Sequence, residues 1–470
     1  MTSPPPPPFR SPLLPMVARR RDEEHRVATP LELLFDLCFV VAVGQAGVEL
    51  VSAFADERIG AGLLNYAMVF FAVWWAWMNF TWFASAYDND DVLYRVTTLV
   101  QIAGVLVLAA GVRRAFEEED YLVVWVGYVI MRVALSSQWF RAARSSRGPA
   151  RRAALRYGCG VLACQAGWAA LLVTPTGGRP WVFLALAACE LSVPYWAEHS
   201  AMTPWHPHHI AERYGLFTII VLGESISAAT IAVKSAVDEH DALTELLPLA
   251  GGGLLIVFSA WWIYFAVPVH AGLTTSRRAF LWGYGHYVVL AAVAGIGAGI
   301  EIAVQDVVDR APISRLGAAA TATVPTAIYL VSVWALHVRR YQVDPRRWRQ
   351  GVLPVAAGLV LLCTLLAEWA VPAAGVVCVG AVVVGVAADG NRGEERAGGG
   401  WGTTGWDEGR GGAGGEGEGA GGEGASMSFV KASLSGLGWF GVAGVMRRAR
   451  RFSVSGVRRR CRRGAWRTGR

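Results

Sequence analysis

The chain has 470 residues, is 54% hydrophobic and only 17% charged, and carries a formal net charge of +7. That positive balance sits in residues 389–470, which hold 15 Lys+Arg and 8 Asp+Glu and leave 28 of each sign in residues 1–388. A neutral apolar body with a basic appendage excludes a basic nucleic-acid-binding core. Repeated apolar stretches of about 20 residues exclude an ordinary soluble domain.

Residues 1–31 are Pro-rich and then basic, and read as a disordered N-terminus. The first apolar run is too long and too late for a cleaved leader. Hydropathy then predicts twelve helices, at roughly 33–53, 62–83, 92–112, 120–141, 153–173, 180–197, 210–233, 246–267, 279–303, 316–337, 352–370 and 372–388. Only Val371 and Pro372 separate the last two, so one broken helix or a re-entrant pair are both open readings. The fold class is all-α: a polytopic transmembrane bundle of about twelve spans over residues 32–388. The seven cysteines show no disulfide framework. Residues 389–470 are Gly-rich and then Arg-rich, and read as a disordered tail whose arginines contact the lipid surface passively.

Basic residues cluster before the first helix (Arg10, Arg19, Arg20, Arg21, Arg26) and after the fourth (Arg141, Arg144, Arg147, Arg151, Arg152). They cluster again after the eighth (Arg277, Arg278) and the tenth (Arg339, Arg340, Arg346, Arg347, Arg349). All these clusters fall on one side if every span is counted, which predicts a multi-pass cell-membrane protein with both termini cytoplasmic. A faint repeat superposes Phe35-Asp36-Leu37…Val43-Gly44-Gln45 on Tyr214-Gly215-Leu216…Leu222-Gly223-Glu224 without a gap. It suggests a parallel duplication of six spans, with helices one and seven running the same way.

The first helix opens Thr29-Pro30-Leu31-Glu32-Leu33-Leu34-Phe35-Asp36, so Glu32 and Asp36 share one face at the head of an apolar span. A charge at the bilayer centre costs about 2.5–3.5 kcal/mol, so these acids are expected to face protein or a water-filled path. The seventh helix opens His206-Pro207-His208-His209-Ile210-Ala211-Glu212-Arg213. His208 and Glu212, and His209 and Arg213, are spaced to meet on a helix. His206, His208, His209 and Glu212 also have the chemistry of a Zn²⁺ site, though an N-terminal turn in which Glu212 offsets the helix dipole is the plainer reading. Glu224 lies roughly 18 Å further along the axis than Glu212, too deep for an interfacial role. Arg95, Arg132 and His286 are the expected counter-charges, and Glu190 and Gln101 complete the polar interior. Asp88-Asn89-Asp90-Asp91 reads as a solvated loop capping helix three. Trp74, Trp75, Trp77 and Trp82 read as an interfacial aromatic belt that extends into packing.

These residues carry a resemblance. Ala28-Thr29-Pro30-Leu31-Glu32-Leu33-Leu34-Phe35-Asp36-Leu37-Cys38-Phe39-Val40 and His209-Ile210-Ala211-Glu212-Arg213-Tyr214-Gly215-Leu216-Phe217…Leu222-Gly223-Glu224-Ser225 resemble the bacterial low temperature requirement A proteins. The likeness covers residues from about 26 to 388, with Cys38 where valine is expected. It implies a polytopic integral membrane protein tied by its name to growth in the cold and to stress response, and it hands over no biochemical activity. Phe35-Asp36 is also similar to the Phe-Ser-Asp motif of lysosomal and bacterial potassium channels, but here no serine stands between the two residues.

The expected function is therefore a transporter or channel-like protein for an ion or small molecule. Glu32, Asp36, Glu212 and Glu224 would form its path, with Arg95, Arg132 and His286 as counter-charges. The alternatives are a structural membrane protein in which these groups only lock helices, and a membrane metalloenzyme built on His208, His209 and Glu212. Partners are the lipid bilayer, the transported species and a second copy of the chain, with no nucleic acid. No cofactor, and no enzymatic activity, is expected.

Overall fold

A computed structural model describes residues 13–19, 27–240, 243–307, 313–339 and 350–398. The basic tail and several of the expected arginines (Arg10, Arg20, Arg21, Arg26, Arg340, Arg346, Arg347, Arg349) lie outside the described residues. The helices are α1 (Pro30–Ala55), α2 (Ile59–Tyr87), α3 (Val92–Glu117), α4 (Leu122–Ser145), α5 (Gly148–Val173) and α6 (Arg179–Glu198). They continue as α7 (Pro207–His240), α8 (Leu243–Phe265), α9 (Ser276–Val307), α10 (Arg315–Val333), α11 (Val352–Cys363) and α12 (Ala370–Gly398). No strand occurs among the described residues. Nine stretches there are long and apolar enough to cross a membrane; α5 and α7 are not among them, and α11 and α12 count as one stretch.

α3 turns Val92, Val96, Leu99 and Val100 outward and buries Tyr94, Thr98 and Gln101. Apolar side chains on the outer face and polar ones turned inward are what a hydrocarbon solvent selects, while most of the buried interior is itself apolar. Glycines let the helices close up: a Cβ at Gly104 or Gly111 would lie within 3.0 Å of α4 backbone, so neither position admits a side chain without moving the helix pair. α9 lies against α1, α7, α8 and α10 and is the most enclosed of the nine stretches.

Several local readings are corrected. Trp74, Trp75 and Trp77 are almost wholly buried rather than placed in an interfacial belt. The indole N–H groups of Trp75 and Trp77 reach buried acids, as described below. The expected break at Val371-Pro372 falls earlier, in a 3₁₀ turn over Thr364–Trp369 with Ala367 at φ 50. Pro372 sits in the first turn of α12, where its missing N–H costs nothing.

Residues 13–19, read as part of a disordered terminus, form a seated strap. The Leu14 N–H donates to Asp91 Oδ2 at 2.8 Å, the Met16 N–H donates to Ser145 Oγ at 3.0 Å, and the Met16 side chain is fully buried. Asp91 caps α3 through the Tyr94 N–H at 2.7 Å and pairs with Arg141, so it is enclosed rather than solvated. Burial alone would raise its carboxyl, but hydrogen bonds from Arg141, Leu14 and Tyr94 outweigh burial and hold it below the ordinary 3.8. A depressed carboxyl contributes stability that is complete above its unfolded value and lost as pH falls through its folded one. Asp91→Asn should thus lower the melting temperature near neutrality. The gap to wild type should close in thermal scans taken from about pH 7 down to about pH 3. A gap that persists undiminished at low pH would contradict this.

Candidate functional site

Two helix heads build the central cluster. Thr29 caps α1 in a reciprocal box: its Oγ1 accepts from the Glu32 N–H at 3.3 Å, and the Thr29 N–H donates to Glu32 Oε2 at 2.7 Å. One turn on, Asp36 accepts three donors. Trp77 Nε1 donates at 2.6 Å, Arg213 Nη2 at 2.6 Å and Arg213 Nε at 3.1 Å. Arg213 Nη1 also lies 3.1 Å from Glu32 Oε1, and His209 Nε2 lies 3.3 Å from the same oxygen. Glu32, Asp36, His209 and Arg213 each show 0% exposure. Arg213 is thus the shared counter-charge of both acids, forked in the planar geometry that suits guanidinium.

α1 and α7 run parallel along this seam. Ala28 meets Glu212 (N–H to Oε1, 3.4 Å), Glu32 meets His209, and Asp36 meets Arg213. Further along, Gly44 meets Glu224: a Cβ added at Gly44 would sit 2.5 Å from Glu224 Oε1. The glycine is what admits the carboxylate between the helices. Glu224 is half-buried. Among the described residues nothing pairs with it or hydrogen-bonds to it. It stands about 16 Å along α7 from Arg213.

The expected counter-charges lie elsewhere. Arg95 is half-exposed and pairs with Asp90 at 2.7 Å in the α2–α3 loop. Arg132 pairs with Glu190 in a second buried cluster between α2, α4, α5 and α6. Glu190 also accepts from Trp75 Nε1 at 2.7 Å, Gln165 Nε2 at 3.1 Å, Trp168 Nε1 at 3.1 Å and the Tyr128 hydroxyl at 3.3 Å. Gln101 bonds Gln138 at 3.1 Å, apart from both acid clusters. His286 forms a third cluster. Its Nδ1 donates to the Trp282 carbonyl at 2.7 Å, and its Nε2 meets the Tyr264 hydroxyl at 3.0 Å. The His337 ring lies 5.5 Å away, in a π-helical turn that ends α10. Tyr214 links this cluster to the first, with ring centroids 4.9 Å from His286 and 4.8 Å from Trp77.

The His208, His209 and Glu212 set is not assembled. His209 points at Glu32, His208 packs its ring 5.3 Å from His270, and Glu212 takes the Ala28 N–H. Adjacent helical residues diverge by about 100°, so His208 and His209 cannot face one ion from a regular turn. Among the described residues no three His, Cys, Asp or Glu side chains are arranged to hold a metal. Arg213, Trp75, Trp77, Tyr264 and His337 were missed as partners. Thr29-x-x-Glu32 and the His209…Arg213 spacing were the available signals.

The profile of the bacterial low temperature requirement A protein family matches residues 27–385. The chain belongs to the low temperature requirement A family. The match takes in both helix heads and Glu224 and ends before the basic tail, so this low temperature requirement A chain is a multi-pass membrane protein with a further appendage. An uncharacterized protein of Rhizobium meliloti (strain 1021) is 25% identical over 295 residues, covering 58% of this chain and 69% of the relative.

Proposed function

We propose that the protein is a cell-membrane transporter or channel-like protein whose path runs along the α1–α7 seam at Glu224. The observation that carries this reading is the placement of Glu224 itself. An ionisable group nearly five turns into a helix, half-buried and with no partner among the described residues, is costly in hydrocarbon and needs a compensating role. Gly44 keeps room for it. The Glu32–Asp36–His209–Arg213 network is then the seal at the head of the seam rather than a lining of the path. It crosses between two parallel helices and leaves no exposed polar surface. Reading the arginine clusters Arg141, Arg144, Arg147, Arg151, Arg152 and Arg277, Arg278 as cytoplasmic puts this seal, and both termini, on the cytoplasmic side of twelve spans. The family name suggests that the transport serves growth at low temperature.

The test is flux of K⁺, Na⁺ or protons in vesicles carrying the purified chain. Wild type should conduct at least one of them, and Glu224→Gln should abolish that flux. Absence of flux in the wild type for all three, or an unchanged rate in the variant, counts against the reading. A structural role for the network is the second reading, favoured by the three donors on a fully enclosed Asp36. It predicts that Glu224→Gln and Asp36→Asn alter melting and nothing else.

A further inference from the structure

His337 is buried in the third cluster at 1% exposure, and neither of its ring nitrogens makes a hydrogen bond among the described residues. It lies near the Tyr264 backbone without reaching hydrogen-bond geometry there. A neutral imidazole carries one donor and one acceptor, so a dry site forfeits both. The turn Trp334–Val338 that places this ring is π-helical, and such turns gather at functional sites.

His286 stands beside it on α9, with its ring 5.5 Å from that of His337. Two imidazoles that share one metal ion have centroids about 5–6 Å apart, because each nitrogen lies about 2 Å from the ion and each centroid about 1 Å behind it. His286 is also held as a metal ligand is held. Its Nδ1–H is tied to the Trp282 carbonyl, which leaves Nε2 as the acceptor, turned toward the Tyr264 hydroxyl. Metal-bound histidines almost always make such an outer hydrogen bond, since it fixes the tautomer and the ring direction.

We infer that His286 and His337 bind one copper ion in its monovalent state. The wall around them is aromatic: Trp282 lies 4.1 Å and Tyr214 4.9 Å from the His286 ring, and Tyr264 lies 4.8 Å from that of His337. Among the described residues no Asp, Glu or Cys joins the pair as a third ligand. A dication would stay poorly compensated there, and Ca²⁺ and Mg²⁺ need oxygen ligands. Copper suits imidazole, and its monovalent ion brings the smallest charge and accepts two or three ligands. On binding, His286 Nε2 and one His337 nitrogen each give a lone pair to the ion. Tyr264 keeps its proton and gives up its bond to Nε2. The inference does not depend on the transport reading.

The test uses the full chain, purified in detergent and stripped of metal with EDTA. Cu⁺ kept reduced by ascorbate is offered in competition with bathocuproine disulfonate, whose colour reports the copper it holds. The wild type should withdraw one equivalent. His286→Gln and His337→Gln should each weaken the binding by about 100-fold. His208→Gln with His270→Gln, which removes the exposed ring pair, should leave it unchanged. X-ray absorption at the copper edge of the wild type should show imidazole ligation without sulfur, and it reads the site even if neither buried variant folds. Three results overturn the inference: no copper withdrawn by the wild type, sulfur ligation from the cysteines, or binding that is lost with His208 and His270 instead.

Discussion

Arg213→Leu is expected to destabilise the protein by about 3–5 kcal/mol, the cost of removing one partner from a buried ion pair. Here the loss strands two carboxylates, Glu32 and Asp36, that both lean on the one guanidinium at 0% exposure. The cost should be partly recovered in Asp36→Asn/Arg213→Leu, because an amide at position 36 carries no charge and can still accept the Trp77 N–H. Thermal or denaturant unfolding of the two single variants and the double variant in detergent gives the coupling. Neighbours of this kind couple by about 0.5–3 kcal/mol. A double variant that simply sums the singles would mean that the pair contributes no interaction energy.

The Glu190 cluster should be of similar weight and independent of the first. Glu190→Leu leaves Arg132 as an uncompensated buried cation, and its Nε and Nη1 already have no hydrogen-bond partner among the described residues. The expected loss is again about 3–5 kcal/mol. Glu190→Gln keeps the shape but sets an amide NH2 against donors, either Trp75 and Arg132 or Gln165, Trp168 and Tyr128, and also leaves Arg132 without a carboxylate, so its loss should be of the same order. Trp75 and Trp77 leave α2 on nearly opposite sides, one toward each acid. Unfolding energies for Glu190→Gln and Asp36→Asn together should therefore add, and a clear departure from additivity would show that α2 couples the clusters.

The helices were legible because apolar length and bilayer thickness are linked directly: each of the twelve expected stretches overlaps a helix, from α1 to α12. Glu32, Asp36 and Glu224 stood out for the same reason, as charges where hydrocarbon should be. Their partners did not, since Asp36 and Arg213 are 177 residues apart in the chain and no local spacing encodes which helix faces which. Arg95 was mistaken for an interior cation because hydropathy gives depth and not direction; it turns out toward Asp90. The tryptophans misled because indole suits an interface as well as it suits a buried acid that needs a donor. That α1 and α7 run the same way was legible from counting spans, and the contacts from Glu32–His209 to Gly44–Glu224 agree with it.

The division of the acids into a sealed head and an open seam is tested most directly by measuring flux and melting on one preparation each of Glu224→Gln and Asp36→Asn. The predicted result is lost flux with unchanged melting for Glu224→Gln, and lowered melting for Asp36→Asn. Wild-type flux in Glu224→Gln, or loss of flux only in step with loss of melting temperature, would contradict it.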